Sequence, residues 1–193
     1  MSNNYYNPTA EQANERRKAL REFDFWNKRA LLSAWSLFGK PNSYIDFGSG
    51  SGAMVEFARS CNVDAIGVDL IAEPPDVCHD LRQPLDLHRT FEIVTSIEVA
   101  EHLNEGSAAI FAESIVRHLS KDGGLIFTAA LPGQPGDNHL NCQPPAYWRK
   151  LFTDAGLTYL IDETPRLAHL WTVTTGPMHH LPANLQVFVK GAG

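Results

Sequence analysis

The hydrophobic positions of this chain change their rhythm once, near residue 43. Before it, Leu20, Phe23, Trp26, Ala30, Leu31, Ala34, Trp35 and Phe38 recur at three- and four-residue steps, the spacing of one apolar helix face. Thr9 and Gln12 stand at capping-box spacing just after Pro8, and Gly39 with Pro41 supplies a stop. The pattern therefore predicts one long helix between them, with its aromatic residues in the core. Residues 1–8 are polar and are expected to fray.

After residue 43 short apolar runs alternate with helical segments. Strands are predicted near 43–47, 64–68, 91–97, 124–130, 157–162 and 185–190, and helices near 52–60, 107–119 and 145–155. Pro144-Pro145 opens the last of these helices and Gly156 closes it. This alternation implies one doubly wound α/β domain, a mainly parallel sheet with helices on both faces. Its expected parts are a helical cap (1–40), a ligand-binding core (43–161), a lid-like insertion (163–184) and a last strand (185–190). The insertion is too long for a simple turn, and its His169, Trp171, His179 and His180 would line a lid.

Length and composition narrow the picture. A chain of 193 residues with 44% hydrophobic and 20% charged residues suits a single globular domain. Its 16 basic and 22 acidic residues leave a net charge of −6, which weighs against a broad, sequence-independent grip on nucleic acid. The densest basic cluster, Arg16, Arg17, Lys18 and Arg21, is interleaved with Glu11, Glu15 and Glu22 and reads as a solvated helix face. No apolar stretch reaches membrane length and no leader is evident, so a cytoplasmic protein is expected. Cys61, Cys78 and Cys142 form no Cys-x-x-Cys pair, which suggests neither a disulfide framework nor a zinc knuckle.

The sharpest motif is Tyr44-Ile45-Asp46-Phe47-Gly48-Ser49-Gly50-Ser51-Gly52, where a predicted strand runs through a glycine-rich turn into a helix. In an open α/β sheet such a turn marks the ligand-binding end. Gly48-x-Gly50-x-x-Ala53 also satisfies the dinucleotide fingerprint, and Asp69 lies near the distance of a ribose-binding acid. Three features favour another cofactor. Asp46 stands two residues before the first glycine, where dinucleotide folds keep an apolar residue. A second acid follows in Cys78-His79-Asp80-Leu81, and the chain is too short for a separate dehydrogenase domain.

With these residues in place, the segment 43–161 resembles the class I S-adenosylmethionine-dependent methyltransferase superfamily, which implies a seven-stranded sheet. The resemblance implies that Asp46 organises the loop at the methionine end of the cofactor. Asp69 would accept the ribose hydroxyls and Asp80 the adenine amine. Gly48, Ser49, Gly50, Gly52, Leu70, Leu81, Ile97 and Glu98 would complete the cofactor surface.

After the predicted strand Phe91-Glu92-Ile93-Val94-Thr95-Ser96 comes Ile97-Glu98-Val99-Ala100-Glu101-His102-Leu103. This Glu-x-x-Glu-His order is similar to that of metal-assisted O-methyltransferases acting on quinone precursors or on the terminal ribose 2′-hydroxyl of small RNAs. That similarity implies Glu98, Glu101, His102 and His139 as ligands of Mg²⁺ or Mn²⁺ (Fe²⁺ would also suit them). The open alternative is metal-free: Glu98 and Glu101 contact the cofactor and cap a turn, while His102 or His139 acts as a base or a polar anchor, with His102, His139 and Glu101 as the catalytic candidates. The expected function is methyl transfer to an oxygen, or less readily a nitrogen, of a small polar acceptor. An RNA end or a protein as acceptor, a non-catalytic partner subunit, and a nicotinamide oxidoreductase are the competing readings.

Overall fold

The structure is a computed structural model that describes residues 8–191; the polar residues 1–7, expected to fray, lie outside it. Seven strands form one sheet: β1 (Ser43–Phe47), β2 (Asp64–Asp69), β3 (Val77–Cys78), β4 (Phe91–Ile97), β5 (Leu119–Thr128), β6 (Leu157–Tyr159) and β7 (Gln186–Lys190). Their order is β3-β2-β1-β4-β5-β7-β6, all parallel except β7, which runs antiparallel to both its neighbours. Chain order reverses beside β1, so the carboxyl ends of β1 and β4 flank the switch point where open α/β sheets bind ligands.

Both faces of the sheet are covered, which explains why its strands read as nearly unbroken apolar runs. On one face Ile45, Phe47, Val94, Leu125, Phe127 and Phe188 pack against α4 (Ala108–His118) and α5 (Pro145–Asp154). On the other, Tyr44, Ile93, Ile126 and Val187 meet α2 (Asp24–Phe38), α3 (Ala53–Ser60) and α6 (Glu163–Thr174). Successive residues of a strand serve opposite cores, as the two-residue period requires.

The structure departs from the sequence-based expectation at four places. The long first helix is two, α1 (Ala10–Leu20) and α2, separated by a 3₁₀ turn at Arg21–Phe23. Thr9 and Gln12 do form the capping box at its start. The kink is held from outside, because Leu20 and Asp24 on its two sides both reach the glycine loop. Strand β3 has two residues, too few to leave a periodic signal. Strand β5 starts at Leu119 rather than 124, with a register shift opposite Phe91–Ile93. The stretch 163–184 is not an irregular loop but α6 followed by the short helix α7 (Leu181–Asn184). Leu167 and Trp171 of α6 are buried against α2, and the Trp171 indole N–H donates to Ser33 Oγ at 3.0 Å. Among the described residues no helix is long and apolar enough to cross a membrane.

If α6 belongs to the core, Trp171→Ala should lower the unfolding free energy by about 3–5 kcal/mol, the range for emptying a buried aromatic site. Chemical denaturation measures it. A loss under about 1 kcal/mol would make residues 163–174 a detachable cover instead.

Candidate active site

The site is assembled at the carboxyl ends of β1, β2, β4 and β5. Strand β1 delivers Asp46 in register with Thr95 of β4. Tyr44 Oη and Thr95 Oγ1 lie 2.6 Å apart, and the Thr95 hydroxyl donates to Asp46 Oδ1 at 2.6 Å. All three side chains are buried, and Asp46 Oδ2 has no protein partner. Burial pushes the Asp46 carboxyl up to about 7, with the carboxylates of Asp69 and Asp76 adding to the rise and Thr95 opposing it.

The glycine loop follows. Gly48, Gly50 and Gly52 all have positive φ, the left-handed conformation that glycine adopts without strain. The N–H groups of Gly48 and Ser49 both donate to the Val68 carbonyl, tying the loop to β2. A Cβ at Gly48 would collide with the Val99 side chain, so the turn after β4 packs directly on the loop. Asp69, at the end of β2, accepts from Gly50 N–H at 2.9 Å and from Ile71 N–H at 3.0 Å. Leu70 follows it, half-buried, and Leu81 is buried in the core beside α4. Asp80 lies two residues after β3, where Arg82 holds both its carboxylate oxygens and keeps it below the usual carboxylate range.

Helix α1 lies across this edge with no buried residue of its own. Arg17 donates to the Ile71 carbonyl at 3.0 Å and pairs with Glu73, both beyond β2. Leu20 sits 3.0 Å from where a Cβ on Gly50 would be, and Ser51 Oγ donates to Asp24 at 2.6 Å.

Ile97 and Glu98 end β4. Glu98 has a φ of +53°, a left-handed value that a side-chain-bearing residue holds only under constraint. The constraint is visible: its N–H donates to Thr128 Oγ1 at 2.9 Å, and its carboxylate accepts from Asn184 Nδ2 and Gln134 Nε2. Glu101, one turn on, is fully buried and neither carboxylate oxygen has a hydrogen-bond partner. Burial, and next the Glu98 carboxylate, hold its carboxyl well above the usual range. Its backbone carbonyl accepts from the N–H groups of Leu140 and Asn141, which fastens the 131–144 loop over the turn.

That loop brings His139 to His102, ring centroids 5.1 Å apart and nearly perpendicular. His102 Nδ1 lies 3.2 Å from the Asn138 carbonyl and His139 Nδ1 lies 3.2 Å from that of Gln134. Each Nδ1 therefore carries the proton and each Nε2 keeps a lone pair. Gly136 backs onto the His139 ring, where any Cβ would overlap Nε2. Burial lowers His102 below the ordinary imidazole value. Ligand atoms of Glu101, His102 and His139 all lie within 4.8 Å of one another. Glu98, the fourth expected ligand, is not in that group; Asn184 and Gln134 donate to its carboxylate, and His180 Nε2 lies 3.5 Å from it.

The family is decided by comparison. Residues 14–162 match a family described as a methyltransferase domain. The chain belongs to that family. Among curated proteins none matches this methyltransferase by sequence. Its fold is similar to that of the sugar N-methyltransferase KedS8 from Streptoalloteichus sp ATCC 53650, with a TM-score of 0.67 at 15% identity over 100% of this chain and 96% of that one. DesVI of Streptomyces venezuelae gives 0.63 at 15% identity over 97% and 100%. The O-methyltransferase from a trans-AT PKS multienzyme of Brevibacillus brevis, solved with S-adenosyl-L-homocysteine, gives 0.61 at 16% identity over 94% and 77%. At such identities the likeness is one of fold.

Sequence reasoning missed Thr95, Gln134 and Asn184, and placed His180 in a lid rather than beside Glu98. Tyr44 and Asp46 share a face of β1, a hint that a hydroxyl partner should stand opposite, but nothing local ties Asn184 to a carboxylate 86 residues away.

In this methyltransferase the native Asp46 carboxyl keeps its proton up to about pH 7, whereas an ordinary aspartate loses it near 3.8. The folded state thus binds more proton between these values, and stability falls as pH rises through that window, by on the order of 4 kcal/mol at most. Asp46→Asn cannot ionise. Its urea midpoint should exceed that of the wild type at pH 8 and converge with it near pH 4; parallel profiles would show that Asp46 is not the group responsible.

Proposed function

We propose that this methyltransferase moves the methyl group of S-adenosylmethionine to a hydroxyl oxygen of a small polar acceptor. One observation carries the reading: Glu101, His102 and His139 converge at the ends of β4 and β5, beside the glycine loop that Asp69 braces. The fold neighbours that act on a sugar or work within a polyketide assembly support a small acceptor, as does the acidic net charge.

The residues present fit the cofactor. Asp69 offers its carboxylate to the ribose hydroxyls, and the unpartnered Oδ2 of Asp46 faces no competing donor. Asp80 accepts twice on each oxygen from Arg82, so it would meet the adenine amine by giving up part of that pairing. Gly48, Ser49, Gly50 and Gly52 bring bare backbone to the methionine end, with Leu70, Leu81, Ile97 and Glu98 around it. The sulfonium supplies an electrophilic methyl carbon and a neutral thioether leaving group. With the cofactor bound, the acceptor oxygen would bond to the methyl carbon as the C–S bond broke, giving its proton to Nε2 of His102, whose Nδ1 the Asn138 carbonyl orients; Glu101 and His139 would flank that ring.

The same three residues would hold a divalent cation. One buried carboxylate without hydrogen-bond partners and two imidazoles suit Mn²⁺ or Fe²⁺ better than Mg²⁺, which prefers an oxygen shell. Bound there, it would lower the pKa of the acceptor hydroxyl.

Calorimetry with S-adenosylhomocysteine tests the cofactor. Wild type should bind, and Asp69→Ala should bind at least about tenfold more weakly, since hydrogen bonds to a charged acceptor are worth roughly 1.5–3 kcal/mol each. Absence of binding by the wild type would end the reading.

Radiolabelled methyl transfer to a panel of sugars and phenols then separates base from cation. Turnover abolished by EDTA and restored by Mn²⁺, with His102→Ala and His139→Ala losing Mn²⁺ together, assigns the cation. Turnover that survives EDTA and follows one histidine's titration assigns a base alone. No transfer to any hydroxyl, with transfer to amines instead, would overturn the choice of oxygen.

A further inference from the structure

Asn184 is a buried polar residue that the chemistry above does not use. It ends α7, a four-residue helix anchored by the buried side chain of Leu181, and it is only 2% exposed. Its amide nitrogen lies 3.0 and 3.2 Å from the two oxygens of Glu98 and 3.1 Å from Gln134 Oε1. Because a carboxylate only accepts, the amide orientation is fixed, and Asn184 Oδ1 is left buried without a donor. Gln134 closes the ring: its Nε2 donates to Glu98 at 3.2 Å, and Leu131 N–H donates to its Oε1 at 3.3 Å. His180, at the start of α7, stands 3.5 Å from the same carboxylate. Two donors and a nearby imidazole, from two separate segments, thus converge on one side chain, whose own backbone is in a left-handed conformation.

The cost of this arrangement points to its purpose. Leaving an amide oxygen unpaired in the interior is unfavourable, as is left-handed backbone at a glutamate. Both are tolerated where Glu98 comes within electrostatic reach of Glu101, whose buried oxygens have no hydrogen-bond partner. Negative charge on Glu98 draws a cation to the Glu101 side, and donors on Glu98 disperse that charge.

We propose that Asn184 is a positioning residue that, with Gln134, engages the Glu98 carboxylate beside the Glu101–His102–His139 cluster, so that α7 and the 131–144 loop govern how readily the cluster takes a divalent cation. The proposal rests on the cation reading of that cluster. Asn184 and the cation compete for the charge on Glu98, and weakening the first strengthens the second.

Mn²⁺ titration by calorimetry and by electron paramagnetic resonance, with folding checked by circular dichroism, tests the idea without turnover. Asn184→Leu should bind Mn²⁺ about tenfold more tightly than wild type, the scale of one hydrogen bond to a charged group. Gln134→Leu, on the half-buried loop, should shift affinity in the same direction and serves if Asn184→Leu does not fold. Glu98→Gln combined with either should cancel the gain, a coupling that general loosening would not produce. Wild-type binding that either substitution leaves unchanged or weakens would overturn the proposal while sparing the cation site. Absence of Mn²⁺ binding from every variant would overturn both.

Discussion

A carboxylate carried to the end of a strand that is covered on both faces is the constraint around which this domain is arranged. Asp46 has no route to bulk water, so its oxygens must find partners inside. Thr95 can serve only because β1 and β4 are neighbours in register, and Tyr44 extends the chain of hydroxyls on the same face. The sheet order that makes them neighbours also sets the glycine loop against the turn after β4, where Val99 leaves Gly48 no room for a side chain. Cofactor edge and acceptor edge are therefore parts of one packed unit.

Much of this was legible in the sequence, for physical reasons that differ from element to element. Strands buried on both faces leave unbroken apolar runs, so β1, β2 and β4 stood out. The glycine loop is a local motif, and its partner Asp69 falls at the end of the next strand. The capping box at Thr9 is local as well. Illegible were features fixed by distant contacts. The break between α1 and α2 has no glycine or proline to announce it, since Leu20 and Asp24 hold it through Gly50 and Ser51. Strand β3 is too short for any period. Helix α6 has two buried apolar anchors, Leu167 and Trp171, at the four-residue spacing of a helix, too few to mark it as more than an insertion between the last two strands.

The Glu-x-x-Glu-His segment shows how far a motif carries. Order along the chain placed four potential ligands together; the fold converges three and turns the first toward α7. Glu98 is left-handed and its carboxylate accepts from Asn184 and Gln134, an outcome of backbone conformation and distant contacts that spacing does not encode. His139 arrives from a loop 37 residues on, and it is held by two N–H groups donated to the Glu101 carbonyl together with a glycine that makes room for its ring.

Helix α1 covers the loops after β1 and β2 without burying a single residue. What keeps it there is an arginine on a carbonyl and on a glutamate, with hydroxyl and aliphatic contacts where it turns into α2. Charge pairs near the surface weaken as salt is added, whereas the apolar core beneath them does not. The edge of the domain beyond β1 and β2 is thus covered by a helix whose attachment loosens as ionic strength rises, even as the fold beneath it stays intact.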